Sequence, residues 1–291
     1  MAEQTGDMIV GIGVQKRYGL PVVPEDMNYV RVPAGISASP LSLEVTSTNA
    51  PRGMKASGNT DVHDLSITVP YTPQQADLWN RLAHLDEKKQ TPWVTVEVLY
   101  PNASSLYYQD PPGRRWHSAK LGHRSLEVGP GGPALLHVGF TSSFCDVAQF
   151  PHHTLMPEYL PYSLNEATLR EWVTYTGPSE VPVDYLHVGE TFVLRDPRGR
   201  KPLWNIGESL WAVEFVTSET RWSLMESTAC GAPLEITIVC ERNSMRSQIR
   251  LPQAKVVKCS TFTDDDDIGP QMIVNAIGRK PDPNTVAGTW E

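Results

Sequence analysis

Between Leu41 and Tyr100 the hydrophobic pattern changes period twice, predicting three strands and one helix. Leu41, Leu43 and Val45 alternate with Ser42, Glu44 and Thr46, the two-residue period of a strand with one buried face. A turn-rich segment follows (Pro51, Gly53, Ser57, Gly58, Asn59), and then Leu65, Ile67 and Val69 alternate with Ser66 and Thr68, a second strand. The period then lengthens. Thr72-Pro73-Gln74-Gln75 reads as a helix start, with Thr72 as N-cap, Pro73 at the first helical position and Gln75 closing a capping box. Leu78, Trp79, Leu82 and Leu85 fall on one helical face. A third strand opens at Trp93 or Val94 and carries Val96 and Val98. The stretch predicts a sandwich with a helix over one end, and none of its residues reads as catalytic.

Before it, residues 1–36 read as loop-like apart from the apolar run Met8–Val14. Gly19-Leu20-Pro21 and Val23-Pro24 suggest an extended arm, either packed on a neighbouring subunit or loose. After it come a polar loop (Asn102 to Arg115), a strand (Trp116 to Val128), a turn (Gly129 to Pro133) and a strand (Ala134 to Phe140). Pro151, Pro157 and Pro161 mark a boundary, giving expected domains 1–150 and 151–291. Ser163-Leu164-Asn165-Glu166 predicts a second capped helix, carrying Leu164, Ala167, Leu169, Trp172 and Val173. Strand signals follow at Thr191–Leu194, Leu210–Val216, Leu234–Cys240, Ile249–Leu251, Ala254–Cys259 and Met272–Ile277.

The halves end alike. In the first, a strand, a basic loop (Arg114, Arg115), a strand, a glycine-rich turn and a strand follow in order. In the second, a strand, a basic loop (Arg242, Arg246), a strand, an acidic turn (Asp264, Asp265, Asp266, Asp267 to Gly269) and a strand do the same. Internal duplication explains this, and so does the generic likeness of any two antiparallel sandwiches. The fold class expected is therefore mainly β, an antiparallel sandwich or barrel with a flanking helix, in one copy or two.

Composition narrows the chemistry. At 291 residues, with 40% hydrophobic and 20% charged positions, the chain is globular and long enough for two domains. A net charge of −8 argues against a protein that grips nucleic-acid phosphates. Cys145, Cys230, Cys240 and Cys259 have no CxxC spacing and read as buried thiols. Met1-Ala2-Glu3-Gln4 lacks a signal-peptide core, and no apolar run approaches the roughly 20 residues of a membrane span. These features lead to an expectation of a cytoplasmic origin.

Candidate chemistry is thin. Gly11-Ile12-Gly13 lacks the third glycine of a dinucleotide loop. Asp61-Val62-His63-Asp64 reads as a solvated turn, with His63 and Asp61 as the pair a hydrolase would need. His117, His123, His137, His152 and His153 form no HExxH pattern, and Asp264 to Asp267 lack the ligand alternation of an EF-hand. No GxSxG elbow is present. No enzyme, cofactor or metal is expected. Eight tryptophans, among them Trp79, Trp172, Trp211 and Trp222, read as core or interface anchors.

Two regions resemble the tail tube (major tail) proteins of long-tailed bacteriophages. One is Gly13-Val14-Gln15-Lys16-Arg17-Tyr18-Gly19 with Leu43–Ser47 and Arg52 to Leu82, including Tyr71-Thr72-Pro73-Gln74-Gln75-Ala76-Asp77-Leu78-Trp79. The other is Ile249-Arg250-Leu251-Pro252-Gln253-Ala254-Lys255-Val256 with Asp264–Gly269 and Met272–Ile277. The resemblance implies a virion structural protein that self-assembles into stacked rings around a lumen through which DNA passes. It implies assembly in the bacterial host and contacts with tape measure, terminator and baseplate proteins. Strand addition at exposed sheet edges or hairpins would join its subunits. The candidate hairpin runs from Val45 to Leu65, with Asn49, Arg52, Lys55, Gly58 and Asp61 at or near its tip, and Asp264 to Asp267 form a candidate interface turn. Members with a duplicated tube domain would need a homo-trimer per ring, single-domain members a homo-hexamer. Competing expectations are a distal tail or baseplate hub subunit, a β-sandwich hydrolase and a sugar-binding module.

Overall fold

The computed structural model describes residues 8–32, 41–47, 61–71, 73–83, 91–99, 113–129, 134–142, 144–148, 170–175, 179–182, 185–195, 205–217, 234–242, 245–263, 270–280 and 287–290. Structural statements below concern these residues. The chain is mainly β and antiparallel with one α-helix, as the alternation predicts.

The first half holds β1 (Met8–Val14), β2 (Asn28–Val32), β3 (Leu41–Ser47), β4 (Asp61–Pro70), α1 (Pro73–Ala83), β5 (Val94–Leu99), β6 (Gly113–Val128), β7 (Leu135–Ser142) and β8 (Phe144–Ala148). The second holds β9 (Arg170–Tyr175), β10 (Ser179–Pro182), β11 (Tyr185–Arg195), β12 (Asn205–Thr217), β13 (Leu234–Arg242), β14 (Met245–Thr263), β15 (Pro270–Gly278) and β16 (Thr289–Trp290). In the first set β1 pairs with β2 and β5, β6 with β5, β7 and β8, and β4 with β3 and β7. In the second set β9 pairs with β10 and β13, β14 with β13, β15 and β16, and β12 with β11 and β15. Element for element, this is the same pairing scheme twice over.

The irregularities recur too. Across Val94 and Val96 the partner residues on β6 are Ala119 and Trp116, so β6 holds one extra residue. Across Leu234 and Ile236 the partners on β14 are Ala254 and Leu251, again one extra. Further along, β6 bulges between Leu121 and His123 against consecutive residues of β7, and β14 bulges between Val256 and Lys258 against consecutive residues of β15. Each second bulge thus follows its matching alanine, Ala119 or Ala254, by the same interval. Bulges bend a strand and raise its twist, which is how one strand serves two layers. Residues 113–119 of β6 lie with β5 and β8, and residues 120–128 lie with β7 and β11.

Within the first bulge of β6, Ser118 is the one non-glycine among the described residues with left-handed φ (53°). Its Oγ accepts a hydrogen bond from the Gly19 N–H at 2.8 Å. Ser118→Ala and Ser118→Gly both lose that bond, but only glycine relieves the backbone strain. Urea unfolding should therefore find the glycine variant more stable than the alanine one by about 1 kcal/mol.

Several expectations are corrected. Residues 15–27 are not a loose arm. They return against their own chain through Gly19 on Ser118, the Val22 N–H on Thr95 Oγ1 at 3.0 Å and Tyr18 edge-on to Trp93, and β2, which gave no sequence signal, closes on β1. Arg114, Arg115, Arg242 and Arg246 stand on paired strands, not in loops. Asp61 to Asp64 are strand residues of β4, not a turn. Ile249–Leu251 and Ala254–Cys259 are one strand. Trp172 and Val173 lie on β9, not on a helix; residues 163–169 of that predicted helix lie outside the described residues.

The core draws on both sets. Val10, Ile12, Leu65, Ile67, Trp79, Val96, Trp116 and Leu121 belong to the same buried cluster as Leu186, Val213, Phe215, Leu251 and Trp290. Helix α1 presents Leu78, Trp79 and Leu82 to it, the face its periodicity predicts.

Candidate assembly interface

One strand pair joins the two sets. β11 adds to residues 123–128 of β6, on the side away from β7, with Leu186 opposite Val128, Val188 opposite Leu126, Glu190 opposite Arg124 and Thr191 opposite His123. Leu186, Val188, Leu126 and Val128 are buried there. The third pair on that buried face, Glu190 opposite Arg124, is ionic. Arg124 Nε donates to Glu190 Oε2 at 2.9 Å, with both residues buried.

Arg124 also ties the joint to the helix. Its Nη1 donates to the Trp79 carbonyl and to Asn80 Oδ1, each at 3.3 Å. The guanidinium lies 4.3 Å over the ring of Trp290, a cation–π contact, and Trp290 Nε1 donates to the Tyr71 hydroxyl at 3.1 Å. Burial is the first influence on both charges, raising the Glu190 carboxyl and lowering the Arg124 guanidinium. The opposing charge, the shared hydrogen bond and a further one to Ser209 pull Glu190 back toward ionisation. Arginine keeps its proton in proteins, so the arrangement is a desolvated ion pair.

A second buried polar group lies in the layer of β1, β2 and β5. Glu97 is fully buried, takes an ion pair from Arg115 and accepts from the Tyr29 hydroxyl at 3.1 Å. Burial, then the Glu97 charge, raise the Tyr29 phenol well above its ordinary value. Gly11 stands between Tyr29 and Glu97 in the register, and a Cβ there would meet the tyrosine ring at 2.6 Å. Its glycine lets Tyr29 cross to Glu97, which accounts for one half of the Gly11–Gly13 pair. Lys120 is likewise buried, with its Nζ donating to the Thr91 carbonyl and lying 4.1 Å over Trp93. These groups satisfy one another and read as internal supports.

The histidines divide into pairs with structural partners. His117 Nε2 lies 3.1 Å from Asp146, and His137 contacts Glu127 and Thr68, each at 2.9 Å. His123 packs over Gly139, where a Cβ would meet its ring at 2.0 Å. Burial, then the nearby His137, hold its imidazole below the ordinary 6.5. With the folded value depressed, His123 contributes stability that is present above 6.5 and lost as pH falls below it. His123→Gln should flatten the fall in urea stability below pH 6.5, measured beside the parent chain.

Of the candidate site residues, Asp61 opens β4 opposite Ser47, so the β3–β4 hairpin exists as expected. Asn49, Arg52, Lys55 and Gly58 lie outside the described residues, as do Asp264 to Asp267, which follow the paired Thr263 in sequence. His63 is opposite Val45 and Ser142 on neighbouring strands. Among the described residues no three His, Cys, Asp or Glu side chains could hold a metal ion, and no helix is long and apolar enough to cross a membrane. Cys259 is half-buried, not buried as expected, and burial raises its thiol. Sequence reasoning missed Arg124 and Glu190 altogether. Neither protein-family models nor curated protein sequences give a match to the chain.

Proposed function

We propose that the chain is a self-assembling structural subunit, the tail tube protein of a long-tailed bacteriophage, whose two tube-like domains together supply two of the units in a ring. Stacked rings enclose the lumen through which DNA passes, and tape measure, terminator and baseplate proteins meet the ends of the stack. The reading begins from the resemblance in sequence. The observation that carries it is the doubled pairing scheme, in which one copy is joined to the next by strand addition. That is the kind of contact that propagates from unit to unit without a pocket or a reactive group. An excess of acidic residues also suits a conduit that must let phosphates slide.

Negative-stain electron microscopy of the purified chain over a concentration series tests it. Hollow tubes of uniform width are the expected result. Isolated rings that never stack would shift the assignment to a distal tail or hub subunit, and a monomer at every concentration would overturn it.

A further inference from the structure

The doubled scheme leaves two edges without a strand among the described residues. β3 pairs only with β4. Its counterpart in the second set, β11, pairs with β12 in the same way and uses its other edge to add to β6. In turn, residues 255–263 of β14, the counterpart of the stretch of β6 that receives β11, pair only with β15. One set thus has an unused donor edge, and the other has an unused acceptor edge of the same design.

Exposure marks the difference between the filled and the open acceptor. Matching the strands through Ala119 and Ala254 sets Arg124 against Cys259, Leu126 against Thr261 and Val128 against Thr263. Arg124, Leu126 and Val128 are buried under β11. Cys259 is half-buried, and Thr261 and Thr263 are exposed. Phe262 and Val257 add large exposed apolar side chains to the same stretch, 36% and 50% accessible. An open strand edge is a template for another strand unless something covers or blunts it, and Lys258 is the one charged residue in 258–263.

We propose that the occupant is a second copy of this chain: β3 of one chain adds antiparallel to residues 258–263 of β14 in the next, repeating the internal β11–β6 joint. The matching fixes the register. β3 and β11 correspond through their partners on β4 and β12, with Leu41 at the position of Leu186 and Val45 at that of Glu190. Leu41 then stands opposite Thr263, Leu43 opposite Thr261, Glu44 opposite Ser260, Val45 opposite Cys259 and Thr46 opposite Lys258. The contact is head-to-tail, so it propagates, and it closes a ring when the rotation at each joint allows. This deepens the self-assembly reading by naming the surfaces that meet, and it can fail alone.

The register places a natural thiol opposite Val45, which makes disulfide trapping the test. The Val45→Cys variant is oxidised with diamide, which takes up the two electrons and two protons released as the S–S bond forms between the introduced thiol and Cys259 of the next chain. Directly opposed strand residues lie within disulfide reach, whereas a three-residue offset adds about 10 Å and removes it. Ser42→Cys is therefore the off-register control, and Glu44→Cys with Ser260→Cys in a Cys259→Ser background is an independent second pair. The expected result is a dithiothreitol-reversible ladder on non-reducing gels that stops at three chains for both designed pairs, and no ladder for the parent chain or the control. Cross-linking of the parent chain that disappears in Cys259→Ser would mean two β14 edges meeting and would overturn the proposal. So would failure of both designed pairs in preparations that show rings or tubes by microscopy, which leaves the tube reading standing. Failure of both pairs in a chain that remains monomeric overturns both.

Discussion

Arg124→Met should cost about 3–5 kcal/mol of unfolding free energy, because it strands a buried carboxylate within the joint between the two strand sets. Glu190 lies at the only register position where β11 presents a buried carboxylate to β6, and its partner is Arg124 at 2.9 Å. Methionine keeps much of the arginine stem's volume but none of its donors, so the Trp79 carbonyl and Asn80 lose a partner as well. Glu190→Leu alone should be costly for the converse reason, a guanidinium left facing an apolar strand. The double variant removes both charges and should recover most of the loss, since an apolar pair of similar volume often replaces a buried ion pair without penalty. Urea unfolding of the four proteins closes the cycle. A large favourable coupling identifies the pair as the polar centre of the joint; strict additivity would show that Arg124 acts through the helix contacts instead. Circular dichroism alone would not separate these outcomes.

That pair was invisible in the sequence. Arg124 and Glu190 are separated by 66 residues, on strands whose other inward positions are apolar, and no local period links them. What the sequence did carry was alternation, and alternation is informative where one strand face is buried. β3, β4, the inward face of α1, β5 and β7 follow from it. β2 escaped because Asn28-Tyr29-Val30-Arg31-Val32 is short and lies between prolines 24 and 33, which read as loop. Pro252 split β14 into two predicted strands. It falls where β14 carries its extra residue against β13, and a bulge is where a sheet tolerates a residue that cannot donate to the ladder. The capping box before Trp172 and Val173 predicts a helix there, because an apolar pair fits either period. The likeness of the chain's two ends was legible as order and spacing. Its meaning was not, because bulge positions and partner choice are properties of pairing, and pairing is absent from a linear pattern.

Val45→Glu should abolish assembly while leaving the monomer folded, and Cys259→Arg added to it should restore assembly. The reasoning runs through the internal joint. Val45 and Cys259 occupy the positions that Glu190 and Arg124 occupy between β11 and β6, so the double variant writes the internal ion pair into the contact between chains. The single variant places an unpaired carboxylate in a contact that excludes water, at a cost of about 2–5 kcal/mol per joint. Since every joint of a ring carries the same substitution, the penalty repeats around it and assembly fails. Val45 shares its strand face with Leu41 and Leu43, whose partners Ile67 and Leu65 are buried, so the substitution also lowers the stability of the monomer, and urea unfolding measured beside assembly separates the two losses. Sedimentation velocity of the parent, single and double variants at matched concentration gives the outcome. Recovery in the double variant but not in Cys259→Arg alone is the signature of a direct pair. Loss in the single variant without recovery means that Val45 lies at the contact in another register, and unchanged assembly in Val45→Glu means that β3 does not take part.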